Sequence, residues 1–290
     1  MDLKSKIILI SGPTASGKSK FAVQLAKKIN GEVINADSMQ IFKELKILTA
    51  RPQQNDLKNI KHHLYGFKSV KNNYSTGNWL KDAKLKITNI QKKNKIPILV
   101  GGTGLYFKAL IDGIVKIPDI PLTFRNRIRK KHSKIGQKKF YLELIKLDPF
   151  CKKKINKNDT QRSIRAYEVK KFTNKSLFDW YSETYSDFTQ DSFIKLHIDC
   201  PRDKLIERIS LRTNEMLRDG AIKEAKRFYK LRIKKDLSSN KVIGLSEIKD
   251  YLDKRINLNE LKEKISIKTR QYAKRPVSYT HLTLPTNREV

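Results

Sequence analysis

The chain has 290 residues, and its formal net charge of +34 fits either a polyanionic partner or a Lys-rich composition that reflects an AT-rich gene. This length allows one large α/β domain or a core domain with an insertion, and no apolar run is long enough to span a bilayer. The two cysteines, Cys151 and Cys200, form no C-x-x-C pair, which disfavours a cysteine-based metal site and favours a reducing cytoplasm.

A glycine-rich loop follows the first predicted strand, the apolar run at residues 7–10. The loop reads G-x-x-x-x-G-K-S, the motif of ATP-binding and other nucleotide-binding P-loops, and apolar residues at helical spacing follow it. Its glycines let backbone amides point at an anion, and the helix adds its positive end. The predicted diphosphate or triphosphate site consists of Gly12, Pro13, Thr14, Ala15, Ser16, Gly17, Lys18 and Ser19.

Two side chains of this loop have predicted roles of their own. Lys18 supplies a full positive charge, and the Ser19 hydroxyl is placed to coordinate a Mg²⁺ ion that the phosphates share. The alternative is a chance match in a glycine-containing turn. The strand before the loop and the amphipathic helix after it favour the phosphate site.

A second predicted strand, residues 32–36, delivers Asp37, Ser38, Met39 and Gln40 at its carboxyl end. Ligands of open α/β sheets bind beyond the carboxyl ends of the strands, so we expect Asp37 to face the same crevice as the glycine loop. The alternative is an Asp that only caps the next helix.

A third predicted strand, residues 96–100, leads into the glycine-rich segment 101–106. A nucleotide-hydrolysing P-loop protein usually has an acidic residue here to hold Mg²⁺, and its absence argues against a motor or switch ATPase. Thr103 can approach a ligand, unless the glycines only form a tight turn. We interpret His62 and His63 as structural or substrate-positioning residues, because no further His or Cys stands at ligand spacing.

The chain changes character at Pro118, after which Lys- and Arg-rich helical patterns follow. Residues 158–169 read as a helix with an Asn or Asp cap, and Gln161, Arg162 and Arg165 form one basic face, either solvated or suited to clamping a phosphate. Residues 195–199 return to the sheet. We therefore predict an α/β protein with a P-loop NTPase or kinase-like parallel sheet core flanked by helices, residues 1–117 and 196–275, with an all-helical insertion at 118–195.

These motifs together resemble one family, the tRNA dimethylallyltransferases, also called tRNA isopentenyltransferases or the IPP transferase family. The resemblance extends over about residues 5 to 275 in the order of the family. The matching segments are 12–19, 37–40, 62–64, 101–106, 158–166, 212–220, Gly244 and 270–275. Such a combination is far more specific than the glycine loop alone.

The resemblance implies transfer of a dimethylallyl group from dimethylallyl diphosphate to N6 of the adenosine 3′ of the anticodon in tRNA, with Mg²⁺. It implies that Asp37 is the general base, that Lys18 stabilises the departing diphosphate, and that Thr103 acts beside the reacting base. The partner is the anticodon stem-loop, and we expect a cytoplasmic monomer without membrane contact. The residues implied to bind tRNA are Asp37, Ser38, Met39, Gln40, Thr103, Arg125, Gln161, Arg162, Ser163, Ile164 and Arg165.

The sequence departs from the family after Arg275, where the family usually continues with a Gln-x-Thr-Trp-aromatic-Arg stretch. We interpret residues 276–290 as a truncated end joined to foreign sequence. Three alternative functions stay open: an adenylate isopentenyltransferase of the cytokinin type, a P-loop small-molecule kinase, and an RNA-binding protein that kept the fold without catalysis.

Overall fold

The structure is a computed structural model that describes Leu3, residues 5–53, Leu57 and residues 59–274. The chain divides into two compact units, of which Asp112–Asp187 is one and the remaining described residues are the other. The sequence-based boundaries lie at 118 and 195. The second one falls inside the strand Phe193–His197, which pairs within the sheet and belongs to the first unit. The interpretation of residues 276–290 lies outside the described residues.

The first unit is built on a parallel sheet with the order β3-β2-β4-β1-β5 in the described part of the chain. The strands are β1 Ile7–Ser11, β2 Gly31–Asn35, β3 His62–His63, β4 Ile96–Val100 and β5 Phe193–His197. Every residue of β1, β2 and β4 is buried, as expected of parallel strands covered by helices on both faces. The predicted parallel α/β core is confirmed. Strands β2 and β5 begin one and two residues earlier than the predicted starts at 32 and 195.

Helices cover the sheet and build the second unit, and none of those described is long and apolar enough to cross a membrane. In chain order they are α1 Lys18–Lys28, α2 Thr76–Gln91, α3 Gly104–Asp112, α4 Leu122–Leu147, α5 Cys151–Lys154, α6 Thr160–Thr173, α7 Leu177–Tyr181, α8 Arg202–Arg218, α9 Ala221–Lys230, α10 Leu245–Leu252 and α11 Leu258–Lys274.

The apolar residues of the first unit are buried in separate clusters. Helix α1 packs Ala22 and Ala26 against the sheet. A second cluster surrounds the segment after Gln40 and joins it to α8, α9, α10 and α11, with Phe42 and Phe228 almost fully buried at its centre. Burying a large apolar side chain contributes about 1.5–3 kcal/mol, so this cluster holds the segment after β2 firmly against the later helices.

The second unit is a helical bundle with its own core. Helix α4 is interrupted at Gly136, whose φ of 75° is the left-handed conformation that glycine adopts without strain. Phe140 and Val169 are fully buried between α4 and α6. Asp159 caps α6 by accepting the Arg162 amide at 3.0 Å, as the sequence predicted for this helix.

Candidate active site

The glycine loop connects β1 to α1 and has the geometry of an anion cradle. A Cβ at Gly12 would lie 2.6 Å from the carbonyl oxygen of Ile198, so the loop requires glycine at this position. Gly17 caps α1 with φ of 92° and offers no side chain to the first-turn amides, the groups with which a helix N-terminus binds an anion. Lys18 Nζ donates to the carbonyl oxygen of Pro13 at 2.9 Å, which holds the ammonium group beside the loop.

Arg212 of α8 adds a second cation to this loop. Its Nη1 donates to Thr14 Oγ1 at 3.0 Å. One helical turn earlier, Arg208 Nη1 donates to the carbonyl oxygen of Ser16 at 3.3 Å. Neither arginine was assigned a role from the sequence, although their spacing of four residues on a helix that follows a sheet strand was a usable signal.

Asp37 is held at the carboxyl end of β2 by the buried side chain of Asn35, which was also not identified from the sequence. Asn35 Oδ1 accepts the Asp37 amide at 2.8 Å, and its Nδ2 donates to the carbonyl oxygens of Asp37 and Leu64 at 3.0 Å. Trp79 Nε1 donates to the Asn35 carbonyl oxygen at 2.9 Å. The Met39 amide then donates to Asp37 Oδ1 at 2.8 Å, so both the backbone and the carboxylate of Asp37 are oriented.

The loop after β4 packs directly against the Asp37 segment. A Cβ at Gly101 would lie 2.1 Å from the carbonyl oxygen of Ala36, so glycine is needed for this close approach. The Ser38 amide donates to Thr103 Oγ1 at 2.9 Å, and Thr103 Oγ1 lies 3.3 Å from Ser38 Oγ. Thr103 therefore orients the backbone that carries Asp37.

The pKa values of two cations and two tyrosine hydroxyl groups are shifted by burial and by the charge of Asp37. Burial lowers the pKa of Lys18 to about 8, the charge of Asp37 opposes this shift, and that of Arg212 adds to it. Burial also lowers the pKa of Arg212, again opposed by Asp37. The pKa values of Tyr65 and Tyr106 are raised by burial and by the charge of Asp37. The carboxylate of Asp37 therefore interacts electrostatically with the two cations and with the two phenols.

Two cavities of the first unit meet at Arg212 and Met216, which line both. The larger one, about 940 Å³, contains Ser19 and is called the Ser19 cavity. The smaller one, about 550 Å³, contains Asp37 and is called the Asp37 cavity. Its wall combines polar residues near Asp37 with an apolar lining formed by Leu48, Ile209, Met216, Val242, Ile243 and Ile265.

The segment between Gln40 and Arg51 forms part of both cavity walls and is fixed by two side chains. The carboxylate of Glu224 accepts the amides of residues 46–48 at 2.7–3.1 Å. Gln40 Nε2 donates to the carbonyl oxygens of Thr49 and Ala50 at 3.0 and 3.1 Å. Gln40, predicted to bind tRNA, thus has its amide engaged with the protein backbone. Glu224, not identified from the sequence, is the anchor of this segment.

The remaining predicted RNA-binding residues lie together in the second unit. Arg162 is 74% exposed and pairs with Asp159 at 3.3 Å, and Gln161 is exposed beside it. Ser163 differs from the prediction, because it is fully buried and Gln137 Nε2 donates to its Oγ at 3.2 Å. Its position on the inner face of α6 removes its side chain from the exposed surface.

Ile164 and the two paired arginines complete this set. Ile164 packs partly buried against the core of the second unit. Arg125 and Arg165 lie on neighbouring helices, and both pair with the buried carboxylate of Glu168, at 3.3 and 3.8 Å. Both arginines keep more than a third of their side chains exposed.

The adjacent histidines make separate structural contacts. His63 Nε2 lies 2.7 Å from Glu32 Oε2, and Lys95 Nζ pairs with the other oxygen of this carboxylate, Oε1, at 2.9 Å. His62 Nδ1 lies 2.7 Å from the Ile60 carbonyl oxygen. Within the described residues, no group of three or more His, Cys, Asp or Glu side chains is arranged to hold a metal ion.

A parallel sheet with a glycine-rich G-x-x-x-x-G-K-S loop between its first strand and the following helix defines a P-loop α/β protein. The IPP transferase family model matches residues 40–281, and the chain belongs to this family. A protein of Pelagibacter ubique named tRNA dimethylallyltransferase is 63% identical over 279 residues, covering 96% of this chain and 89% of that protein.

Solved structures of tRNA-modifying transferases are similar to this chain as well. The full-length tRNA isopentenylpyrophosphate transferase of Bacillus halodurans matches with a TM-score of 0.68 and 33% identity, covering 96% of this chain and 88% of that one. A eukaryotic dimethylallyltransferase, described as acting on tRNA, matches with a TM-score of 0.83 and 29% identity, covering 94% of this chain and 69% of that one.

Proposed function

We propose that this protein is a prenyltransferase that moves a dimethylallyl group from dimethylallyl diphosphate to N6 of the adenosine 3′ of the anticodon in tRNA. The names of its relatives support this reaction. The observation that carries the proposal is the position of Asp37, whose oriented carboxylate lines a cavity shared with Thr14 and Arg212 of the anion-binding region.

In this proposal the glycine loop, residues 12–19, binds the diphosphate as a leaving group. Backbone amides at the start of α1 point at its oxygens, and Lys18 and Arg212 carry positive charge beside the loop. Charge builds on the bridging oxygen as its bond to carbon breaks. Donors oriented in advance toward such charge are commonly worth about 3 kcal/mol each in other enzymes.

The donor set fits a Mg²⁺ ion held mainly by the substrate. Ser19 lines the Ser19 cavity, and a hard cation bound by its hydroxyl would take its other oxygen ligands from the diphosphate and water. The lack of an acidic cluster among the described residues is compatible with such a ligand set. When bound, the ion offsets negative charge on the diphosphate.

The acceptor reacts in the Asp37 cavity. A stacked loop base cannot reach a buried diphosphate, so the adenosine must leave the stack and enter the protein. The N6 nitrogen attacks C1 of the dimethylallyl group, the bond from C1 to the diphosphate oxygen breaks, and the diphosphate takes the electron pair. The N6 proton passes to Asp37, whose Oδ1 is already engaged by the Met39 amide, so Oδ2 is the accepting atom.

The cavity lining suits the group that is transferred. The Asp37 cavity has apolar side chains, including Ile209, Met216 and Ile265, on the wall beyond its polar end. A branched five-carbon group placed there is shielded from water, which would otherwise compete with N6 for the activated carbon. Ser38 and Thr103 orient the backbone at the polar end.

The second unit supplies the proposed tRNA grip. Arg125, Gln161, Arg162 and Arg165 form a basic, partly exposed surface suited to phosphate contacts, which position an RNA without reading its sequence. Because tRNA is the proposed acceptor and the thiols of Cys151 and Cys200 are free, we propose the cytoplasm as the place of action.

The decisive experiment offers alternative acceptors to the purified protein. It is incubated with Mg²⁺ and dimethylallyl diphosphate together with either unmodified tRNA or adenosine monophosphate, and the nucleosides are analysed by mass spectrometry. We expect the dimethylallyl mass increase on the tRNA adenosine alone. Modification of the free nucleotide would establish the cytokinin-type activity instead. ATP-dependent phosphorylation of a small molecule without prenylation would establish a kinase.

A further inference from the structure

A buried carboxylate in the second unit gathers three arginines from two helices. Glu168 of α6 is 1% exposed. Its Oε2 lies 3.3 Å from Arg125 Nε and 3.8 Å from Arg165 Nη1, and its Oε1 lies 3.7 Å from Arg129 Nε. Arg125 and Arg129 lie one turn apart on α4, so the carboxylate draws guanidinium groups from facing helices to one place.

The charges of this cluster do not cancel. Three guanidinium groups carry three positive charges, and Glu168 returns one, which leaves a local excess of two. The arginine side chains are between 37% and 45% exposed, so they reach solvent while Nε of Arg125, Nε of Arg129 and Nη1 of Arg165 face Glu168. Each guanidinium has five N–H donors in a planar fork, and one contact to the carboxylate leaves most of them for another acceptor.

Glu168 is not arranged as the centre of an optimal structural salt bridge. Its Oε1 makes no hydrogen bond within the described residues, and two of its three ion pairs are 3.7 Å or longer. Burial lowers the pKa of Arg165, the charge of Glu168 opposes this shift, and the neighbouring charge of Arg125 adds to it. A buried carboxylate stabilises a fold only when its geometry compensates for desolvation, which this loose arrangement does poorly. A role in holding cationic side chains at the surface explains the position of Glu168 better than a role in stabilising the fold.

We propose that Glu168 is a positioning residue that holds Arg125, Arg129 and Arg165 as one binding site for RNA phosphates, and that Arg129 is an RNA contact in its own right. This inference rests on the proposed tRNA substrate and deepens it. Arginine forks match the geometry of phosphate oxygens, and holding them in place beforehand reduces the entropy lost on binding. A group of arginines that is oriented in this way grips a backbone regardless of its sequence.

The test uses a pair of variants that add the same charge to the second unit. Glu168→Gln removes the buried carboxylate, and Glu143→Gln removes a carboxylate of α4 that is 41% exposed and pairs with Lys131. If charge alone governs binding, both variants bind tRNA at least as tightly as the wild type, because each raises the positive charge by one. If Glu168 orients the arginines, Glu168→Gln binds roughly tenfold more weakly and Glu143→Gln does not.

A second pair, both on α4, removes one positive charge each. Arg129→Gln is expected to weaken tRNA binding and to reduce the slope of log affinity against log salt by about 0.7–0.9, the value of one phosphate contact. Arg127→Gln is the control, because the Arg127 guanidinium lies over the Phe124 ring, 5.0 Å from its centroid. It is expected to change the slope by clearly less. Because Arg129 is exposed, we expect Arg129→Gln to fold. This pair therefore tests whether Arg129 contacts RNA even if Glu168→Gln fails to fold.

The measurements are tRNA affinity at several salt concentrations, thermal unfolding, and affinity for dimethylallyl diphosphate, all on the full chain. The proposal is overturned if folded Glu168→Gln binds tRNA like the wild type, or if Arg129→Gln and Arg127→Gln have equal salt slopes. If instead the wild type neither binds nor modifies tRNA, it is the proposed function that fails.

Discussion

Among single residues, Asp37 combines an oriented carboxylate with an electrostatic interaction with Lys18 of the glycine loop. Asp37→Asn keeps the oxygen that accepts the Met39 amide but removes the proton acceptor. The rate of the chemical step in single-turnover prenylation should therefore fall by roughly 10²–10⁴, with tRNA affinity nearly unchanged. Asp203→Asn, at an exposed position in the first turn of α8, is the matched control and should retain most activity. Equal rates in wild type and Asp37→Asn would remove Asp37 as the base.

Lys18 gives a prediction about pH. Its pKa is lowered to about 8 by burial, so the free protein loses this charge as the pH rises through about 8. Affinity for inorganic diphosphate should therefore fall above this pH, by up to about tenfold for each pH unit. Calorimetric titration of wild type and Lys18→Met, from about pH 6.5 to about 9.5, separates this effect from titration of the ligand.

The expected direction of the pH effect follows from comparing the diphosphate affinities of wild type and Lys18→Met. Below about pH 8 the wild type should bind diphosphate more tightly than Lys18→Met by a constant ratio, because Lys18 is protonated throughout that range. Above about pH 8 this ratio of affinities should shrink. Lys18 is then mostly neutral in the free wild type and must take up a proton when diphosphate binds, which weakens the affinity. A ratio that stays constant across this pH would show that Lys18 does not contribute its charge to diphosphate binding.

At the scale of structural elements, the contact between the end of β4 and the end of β2 sets the site geometry. Gly101→Ala would place a methyl group 2.1 Å from the Ala36 carbonyl oxygen, and backbone atoms would have to move. We expect the free energy of unfolding to fall by about 1–3 kcal/mol. Prenylation should fall further, because a shift of about 1 Å in a reacting group costs roughly a hundredfold.

The neighbouring glycine offers the control for that change. A Cβ at Gly102 would meet no atom within 4 Å, so Gly102→Ala should alter the free energy of unfolding by less than about 0.5 kcal/mol. Urea unfolding and steady-state prenylation measure both variants. Equal behaviour of Gly101→Ala and Gly102→Ala would mean that the close approach of these two segments does not set the position of Asp37.

At the scale of the whole molecule, the chain divides its proposed tasks between its two units. Diphosphate binding belongs to the first, and phosphate contacts with tRNA belong to the second. Arg162→Glu, at a side chain 74% exposed, should weaken tRNA binding and reduce its salt slope by about one. Dimethylallyl diphosphate affinity should not change. Lys171→Glu, exposed near the other end of α6, is the control for a simple change of charge.

Unequal effects of these two substitutions on tRNA affinity would support a defined contact at the start of α6. Equal effects would indicate that the net charge of +34, and not this surface, attracts the RNA. A change in dimethylallyl diphosphate affinity would contradict the division of tasks between the units.

Much of the core and of the anion-binding loop could be predicted because their signals are local. Apolar runs mark β1 and β4 without reference to the rest of the chain. The loop and the helix that follow β1 form one continuous stretch of sequence, so the motif alone predicts their local geometry. Asp37 was predictable because all parallel strands end at one edge of the sheet.

Residues that act through distant partners could not be predicted in this way. Arg212 reaches Thr14 across 198 positions of sequence, and Glu224 anchors residues 46–48 from a later helix. Ser163 lies within a matching motif, yet the helical period turns it inward, and burial is a property of the packed bundle.

The sequence by itself determined the parallel core, the family resemblance and the glycine loop, because each depends on neighbouring residues or on the period of one element. Only the tertiary structure decided that Asn35 and Thr103 orient the Asp37 segment, that Arg212 joins two cavities, and that Glu168 gathers three arginines. The physical reason is that hydrogen bonds and ion pairs form between whatever side chains packing brings within a few ångströms, and that proximity is not encoded at any one position.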